Sequence, residues 1–300
     1  MNMEPENGEI SGSRSLSTYI TLLRPLNAVM AGVGVFVGGI VAMGTDITGA
    51  DVLFRVILAY FAAFFATGAG NALNDIVDAE TDKVNHPERP IPSGKLTPDQ
   101  VRLVVYAGYG LTFLLSAFVN ILNFIIAFIN ISLMVAYEMR LKKMGFVGNL
   151  TISYLTGSVF IFGGSATLEN AGIIDMATSS EFGVTVILAF LAFLVSVGRE
   201  IIKDIQDMEG DTDRFTLPMK IGKQKAGLLA AGMIIIAVAF SWLPVHFDIL
   251  GSTYLAIVLP ADALFVYAAL TGSANPARAQ KLAKFAMLGA LMAFMIGAIA

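Results

Sequence analysis

Nine long apolar stretches dominate the chain, and each is close to the length that crosses a lipid bilayer. A helix needs about 20 consecutive apolar residues to span a hydrocarbon core about 30 Å thick. The pattern therefore predicts an all-α, polytopic membrane protein with about nine transmembrane helices. The stretches lie at 26–45, 52–73, 101–118, 120–137, 147–166, 182–201, 225–243, 250–270 and 281–300.

The boundary between the third and fourth stretches is the least marked, because residues 101–137 are almost continuously apolar. Asn120 and Asn123 indicate a turn at this point. Without that turn the chain would have eight spans, and the charged loops after it would exchange sides of the membrane.

Charge placement favours nine spans. If the amino-terminal end is cytoplasmic, every Lys and Arg except Arg55 falls in a cytoplasmic segment or at a helix end, as the positive-inside rule requires. The opposite side carries six acidic residues: Asp46, Asp51, Glu169, Asp175, Glu181 and Asp248.

Composition supports a membrane protein and limits the kinds of site. The 300 residues are 56% hydrophobic and 14% charged, with no cysteine, so disulfides and thiolate metal sites are excluded. We expect residues 1–18 to form a flexible cytoplasmic tail and residues 19–300 to form a single transmembrane domain. Glycines of the first span, Gly38 among them, are expected to allow close helix packing.

Two acidic clusters follow the second and sixth spans, on the face expected to be cytoplasmic. The first runs from Asn71 to Asp82 in the pattern N-x-x-N-D-x-x-D-x-x-x-D. Because residues four apart share a helix face, Asn74, Asp78 and Asp82 form one ridge. Four side chains form a second, overlapping ridge: Asn71, Asp75, Asp78 and Asp82.

The second cluster places Asp204, Asp207 and Asp211 at i, i+3 and i+7, with Glu200 one turn earlier. Like charges this close repel unless a cation neutralises them. Oxygen ligands suit Mg²⁺, which binds through a few carboxylates together with substrate phosphates. The alternative is that each cluster is simply a solvated acidic helix end.

Basic side chains on the same face are candidates for holding phosphate oxygens. Guanidinium groups make two-point contacts with phosphate, and three prolines stiffen the loop that carries Arg89. For Lys142 and Lys143 the alternative is anchoring at the membrane surface. The substrate-binding candidates among these basic residues are Arg89, Lys142, Lys143, Arg199 and Lys203.

These motifs resemble those of the UbiA superfamily of intramembrane prenyltransferases, from about residue 19 to the carboxyl end. The resemblance rests on the N-D-x-x-D-x-x-x-D run, the R-P-I-P-S-G run from Arg89, the D-x-x-x-D run from Asp207, the stretch Tyr137 to Lys142, and R-P-L-N from Arg24. Within the superfamily, F-V-G-N from Phe146 and R-E-I-I-K-D from Arg199 most resemble archaeal digeranylgeranylglyceryl phosphate synthases.

The resemblance implies helices around a central cavity, capped by helices in two cytoplasmic loops. It also implies Mg²⁺ ions between a prenyl diphosphate and the side chains Asn74, Asp75, Asp78, Asp82, Asp204, Asp207 and Asp211. Of these we expect Asp75, Asp78, Asp207 and Asp211 to be catalytic. Tyr137 joins the substrate-binding candidates through the resemblance, and Asn71 joins them from helical geometry alone.

The implied reaction is Mg²⁺-dependent transfer of a geranylgeranyl group from its diphosphate to a lipid acceptor, geranylgeranylglyceryl phosphate, in archaeal ether-lipid synthesis. We expect the enzyme in the cell membrane, with its active site facing the cytoplasm and no nucleic-acid partner. One alternative is an aromatic acceptor, as in quinone, haem or chlorophyll synthesis. An ion-coupled transporter is a further alternative, but its acidic residues should lie near the bilayer midplane on broken helices.

Overall fold

The computed structural model describes residues 16–169, 180–208 and 216–300. These residues are mostly helical, and none of them forms a strand. The helices are α1 (Leu16–Leu23), α2 (Pro25–Met43), α3 (Ala50–Val77), α4 (Ala79–Asn85), α5 (Pro98–Val119), α6 (Ile121–Met139), α7 (Phe146–Ser165), α8 (Ser180–Asp207), α9 (Leu217–Ile221), α10 (Lys223–Phe240), α11 (Leu243–His246), α12 (Ser252–Thr271) and α13 (Pro276–Ile299).

Nine helices in the described part of the chain are long and apolar enough to cross a membrane. They are α2, α3, α5, α6, α7, α8, α10, α12 and α13. The predicted all-α, polytopic architecture is confirmed, and the chain is an integral, multi-pass membrane protein.

The two helices that carry the acidic clusters are the longest. Helices α3 and α8 have 28 residues each, which corresponds to about 42 Å at 1.5 Å per residue. A hydrocarbon core of about 30 Å leaves roughly 12 Å of each helix outside it. Each cluster lies at the carboxyl-terminal end of its helix, just after the apolar stretch.

The predicted tail and caps are only partly within the described residues. Helix α1 begins at Leu16, inside the segment 1–18, whereas residues 1–15 lie outside the described part. Helices α4 and α9 lie in the two long charged connections. Their role as a cap over a site stays a prediction.

Asn120 separates the third and fourth spans, as its position predicted. Its backbone is extended, and its side-chain oxygen accepts a hydrogen bond from the Asn123 amide at 2.8 Å, which caps α6. Its side-chain amide also donates to the carbonyl oxygens of Ser165, at 2.9 Å, and Leu168, at 3.3 Å. One side chain thus starts α6 and joins it to the end of α7.

Replacing Asn120 by alanine is expected to destabilise the protein by about 1–2 kcal/mol, because an N-cap and two further hydrogen bonds are lost together. Thermal unfolding in detergent measures the change. Asn120→Ser is the matched control, since serine retains the cap but does not reach α7, and it should cost less. Equal unfolding temperatures for wild type and Asn120→Ala would contradict this account of the boundary.

Helix α2 lies at the centre of the bundle, in contact with α3, α7, α8 and α13. Around it the contacts follow the order α3, α5, α6, α7, α8, α10, α12 and α13. The largest buried cluster lies among α8, α10, α12 and α13 and includes Ile201, Ile234, Tyr254 and Phe294. Helix α7 contacts both α6 and α8, and the ends of these helices on one side of the bundle form the site described below.

Helices α2 and α7 cross so closely that their backbones touch at glycines. A methyl group on Gly38 would overlap the backbone of Phe160, and one on Gly163 would overlap the backbone of Val35. Small residues allow such close approach between transmembrane helices. The prediction that glycines of the first span serve helix packing is confirmed at Gly38.

The outer surface of the bundle is strongly apolar. Phe118, Leu228 and Leu270 are 70%, 73% and 73% exposed. Leaving side chains of this size in water forgoes about 1.5–3 kcal/mol each. Lipid is the solvent that this surface fits.

Candidate active site

The first acidic cluster lies where α3 ends and α4 begins. The backbone amide of Asp78 bonds to the Asn74 carbonyl at 2.9 Å, and that of Asp82 bonds to the Asp78 carbonyl at 2.8 Å. The helical hydrogen bonds therefore continue across the junction. Asn74, Asp78 and Asp82 follow one another at intervals of one turn.

Two arginines neutralise the inner carboxylates of this cluster. Arg24, between α1 and α2, donates to Asp75 at 2.5 Å, and Asp75 is only 2% exposed. Arg89 donates to Asp82 at 2.5 Å and lies 3.8 Å from Asp75. Arg89, predicted to hold a substrate phosphate, is thus engaged by two carboxylates. Arg24, which the sequence offered only as part of a resembling motif, is the main partner of Asp75.

Asp78 faces the other way, toward the end of α6. Lys142 donates to Asp78 at 2.6 Å and to Glu138 at 2.9 Å. The side-chain amide of Asn74 donates to the same two carboxylates, at 2.8 Å and 2.9 Å. Sequence reasoning missed Glu138. The available signal was its position four residues before Lys142, which is the favourable order for an ion pair on a helix.

The second acidic cluster lies at the end of α8, beside the start of α7. The side-chain amide of Asn149 donates to Asp204 at 2.7 Å. Asp207 is exposed, and Arg199 is paired with its neighbour Glu200. Asp211 lies outside the described residues. Asn149 appeared in the sequence only inside the F-V-G-N run, without a role.

A polar cavity of about 160 Å³ lies at the second cluster, and no side chain of the first cluster is part of its lining. Lys142 lines it and is also the partner of Asp78, so this side chain joins the first cluster to the second. The hydroxyl of Thr216 is buried at its wall and has no hydrogen-bond partner within the described residues. The full lining is Tyr137, Lys142, Gly145, Gly148, Asn149, Glu200, Lys203, Asp204, Asp207 and Thr216.

The remaining predicted residues fall in different places. Tyr137 and Lys203 line the cavity. Lys143 is exposed, and Asn71 donates to the backbone of Leu23 at 3.1 Å. The structure therefore brings some of the predicted side chains together around one space and leaves Asn71 directed at α1.

The oxygen-bearing side chains around the cavity are of the kind that Mg²⁺ binds. No group of three or more His, Cys, Asp or Glu side chains within the described residues is arranged to hold a metal ion by itself. Mg²⁺ does not need such a cage, because it retains waters and binds through one or two carboxylates plus substrate phosphates. Asp204 and Asp207 at the cavity, with the unsatisfied hydroxyl of Thr216, fit a site that a metal–diphosphate complex completes.

Known proteins are similar in sequence to this chain over nearly its whole length. The sequence model of the UbiA prenyltransferase family matches residues 29–295. The digeranylgeranylglyceryl phosphate synthase of Methanosphaera stadtmanae is 36% identical over 285 residues, covering 93% of this chain and 97% of that protein.

Two solved structures share the fold. A structure of digeranylgeranylglyceryl phosphate synthase superposes with a TM-score of 0.80 at 36% identity, covering 95% of this chain and 98% of the other. A UbiA homolog from Archaeoglobus fulgidus bound to GPP and Mg²⁺ has a TM-score of 0.59 at 14% identity, covering 92% and 99%. At that identity the second likeness concerns the fold alone.

Proposed function

The chain belongs to the UbiA prenyltransferase family, and from this premise we propose that it transfers a geranylgeranyl group from geranylgeranyl diphosphate to geranylgeranylglyceryl phosphate. Relatives that match nearly its whole length carry the name of the synthase that joins these groups in archaeal ether lipids. The acceptor and the donor chain length come from that similarity.

The observation that carries the proposal is the polar cavity at the second acidic cluster, which Lys142 links to Asp78 of the first. It combines carboxylates with the ammonium groups of Lys142 and Lys203. A diphosphate with bound divalent cations needs both kinds of partner, since the cations bind carboxylates and the free phosphate oxygens bind ammonium groups. Because the cavity lies at helix ends that follow apolar stretches, we place it at headgroup level, where an amphiphile places its charged end.

We assign the metal ligands as the sequence suggested. The first set is Asn74, Asp75, Asp78 and Asp82, and the second is Asp204, Asp207 and Asp211. When bound, Mg²⁺ would neutralise the charge that develops on the departing diphosphate. Among the three aspartates of the first set, Asp78 is the most accessible. Its side chain is 27% exposed, compared with 2% for Asp75 and 6% for Asp82.

The proposed reaction is one nucleophilic substitution at the allylic carbon of the prenyl diphosphate. The bond between the allylic carbon and the diphosphate oxygen breaks, and diphosphate leaves with the electron pair. The acceptor hydroxyl oxygen forms the ether bond to that carbon and loses its proton. Lys142 and Lys203 hold the leaving group, and this fixed charge favours the transition state more than it favours the bound substrate.

The apolar helices beside the cavity keep the reacting carbon away from water. An allylic cation is captured by water, so the prenyl chain must react in a dry environment. We propose that the site faces the cytoplasm, because the loops on its side of the membrane carry almost all the basic residues.

Turnover by the purified protein tests the proposal. The chain in lipid nanodiscs is given geranylgeranyl diphosphate and geranylgeranylglyceryl phosphate, with Mg²⁺ or with EDTA, and lipid products are identified by mass spectrometry. We expect the double-chain ether product and released diphosphate only with Mg²⁺. Empty nanodiscs are the control.

Two other results would reject parts of the proposal. Product with an aromatic acceptor, but not with geranylgeranylglyceryl phosphate, would retain prenyl transfer and reject the lipid acceptor. No product with any acceptor would reject prenyl transfer for this chain and favour the alternative of an ion-coupled transporter.

A further inference from the structure

Glu138 is a buried carboxylate that belongs to neither acidic cluster. It lies in the last turn of α6 and is 8% exposed. One of its oxygens, Oε2, accepts from Lys142 and from Asn74, each at 2.9 Å. Burying a carboxylate is costly unless it is paired, so these two contacts are what makes its position stable.

The same two donors also hold Asp78. Lys142 is 2.6 Å from one oxygen of Asp78, and the amide of Asn74 is 2.8 Å from the other. Two carboxylates therefore share one ammonium and one amide. Lys142 has one more carboxylate partner than it needs to be neutralised.

This excess matters when Asp78 acts as a ligand. Engaging Asp78 withdraws a carboxylate from Lys142, whose side chain is only 4% exposed. A buried ammonium without a counterion is strongly unfavourable. Because Glu138 contacts Lys142 at the same time, the ammonium keeps one partner after Asp78 has turned away.

We propose that Glu138 is a positioning residue, which keeps Lys142 and Asn74 in place while Asp78 binds the metal of the prenyl diphosphate complex. The proposal rests on the proposed function, since it takes Asp78 as a ligand. Glu138 acts through Lys142: it lies one helical turn before the lysine, and the lysine lines the cavity while the glutamate does not.

Replacing Glu138 by glutamine tests this. In the variant, Lys142 has Asp78 as its one carboxylate partner in this cluster, so engaging Asp78 leaves the diphosphate as the only anion that contacts the ammonium. With geranylgeranyl diphosphate in excess, the Mg²⁺ concentration that gives half-maximal thermal stabilisation should rise about tenfold, within the range of couplings between groups of one ion-pair network. This measurement requires no turnover.

A control variant and a kinetic measurement separate this role from a structural one. Glu80→Gln removes the same charge from an exposed pair with Lys83 and should leave the Mg²⁺ midpoint unchanged. In turnover, saturating Mg²⁺ should restore most of kcat in Glu138→Gln. A merely structural glutamate would lower the unfolding temperature in EDTA and leave the Mg²⁺ midpoint where it is in wild type, and that result would overturn the proposal.

A double-mutant cycle tests whether Glu138 acts through Lys142. In a Lys142→Met background, Glu138→Gln should shift the Mg²⁺ midpoint by a clearly smaller factor, because the ammonium it positions is gone and only its contact with Asn74 remains. A shift of the same size in both backgrounds would show a direct effect on the metal and would also overturn the proposal. If Glu138→Gln is not stable enough to purify, Glu138→Asp, which retracts the carboxylate by one methylene, should raise the midpoint by a smaller factor.

The wild-type curve separates this proposal from the proposed function. If Mg²⁺ gives wild type no stabilisation with the diphosphate, the metal-dependent function itself fails. If wild type responds and Glu138→Gln responds at the same concentration, only the role of Glu138 fails.

Discussion

Replacing Asp78 by asparagine is expected to lower the rate of prenyl transfer by a factor on the order of 10³, comparable with the loss of a preorganised electrostatic group in other enzymes. The amide lacks the negative charge that the metal–diphosphate complex requires. Folding should survive, because Lys142 retains Glu138 as a partner and a quarter of the Asp78 side chain is already exposed, at 27%. Asp207→Asn, at the exposed end of α8, should behave alike.

Single-turnover assays at saturating Mg²⁺, together with thermal unfolding in detergent, measure both parts of this prediction. Asp99→Asn is the matched control, since it makes the same change at an exposed ion pair with Arg102 at the start of α5. It should retain wild-type activity. Loss of folding in both Asp78→Asn and Asp207→Asn would indicate that the clusters are structural, and near-normal rates would exclude them as ligands.

Replacing Gly163 by alanine is expected to destabilise the protein by about 3 kcal/mol, at the upper end of typical overpacking costs. The added methyl group would overlap the backbone of Val35. A backbone cannot rotate away as a side chain can, so α2 and α7 must separate. Because α7 also carries Asn149, which contacts Asp204, the separation should reduce activity as well.

The unfolding temperature in detergent measures this effect. Gly232→Ala in α10 and Gly110→Ala in α5 are matched controls, since a methyl group at either position meets no other atom within 4 Å. Alanine is also the better helix former, so both controls should be neutral or slightly stabilising. Wild-type stability in Gly163→Ala would mean that α2 and α7 are farther apart than the structure places them.

The fold could be predicted from the sequence almost completely because in a membrane one term dominates. Each span had to satisfy its backbone hydrogen bonds within itself and cover about 30 Å, so length and apolar character were enough to find nine helices. The least marked boundary between spans lies at Asn120, which caps the start of α6 in the structure. In the sequence, the turn signal of Asn120 and Asn123 and the charge asymmetry both supported this boundary.

The site could be predicted only in part, because its residues come together from distant segments. The acidic clusters were recognisable in the sequence as local patterns. The roles of Asn149 and Arg24 were not recognisable, because each contacts a carboxylate more than 50 positions away in the sequence. Glu138 pairs with Lys142 four residues later, but its contact with Asn74 joins residues 64 positions apart. Spacing reports neighbours on one helix and says nothing about neighbours on another.

The partners of the basic residues could not be predicted from the sequence either. The sequence identified Arg89 and Lys142 as cations suited to phosphate. It did not show which carboxylates pair with them when no phosphate is bound. In the structure Arg89 lies on Asp82 and Lys142 on Asp78. Ion pairs of this kind depend on which helix ends meet, and that is decided by the packing of the whole bundle.

The excess length of α3 and α8 has a kinetic consequence. Because both helices carry their carboxylates just beyond an apolar stretch, we expect two lipid substrates of the proposed kind to reach the cavity by diffusing within a single leaflet, with their chains in the hydrocarbon. The encounter is then two-dimensional. Its rate should follow the mole fraction of each substrate in the membrane, so diluting the bilayer with inert lipid should slow the enzyme while diluting the surrounding buffer should not.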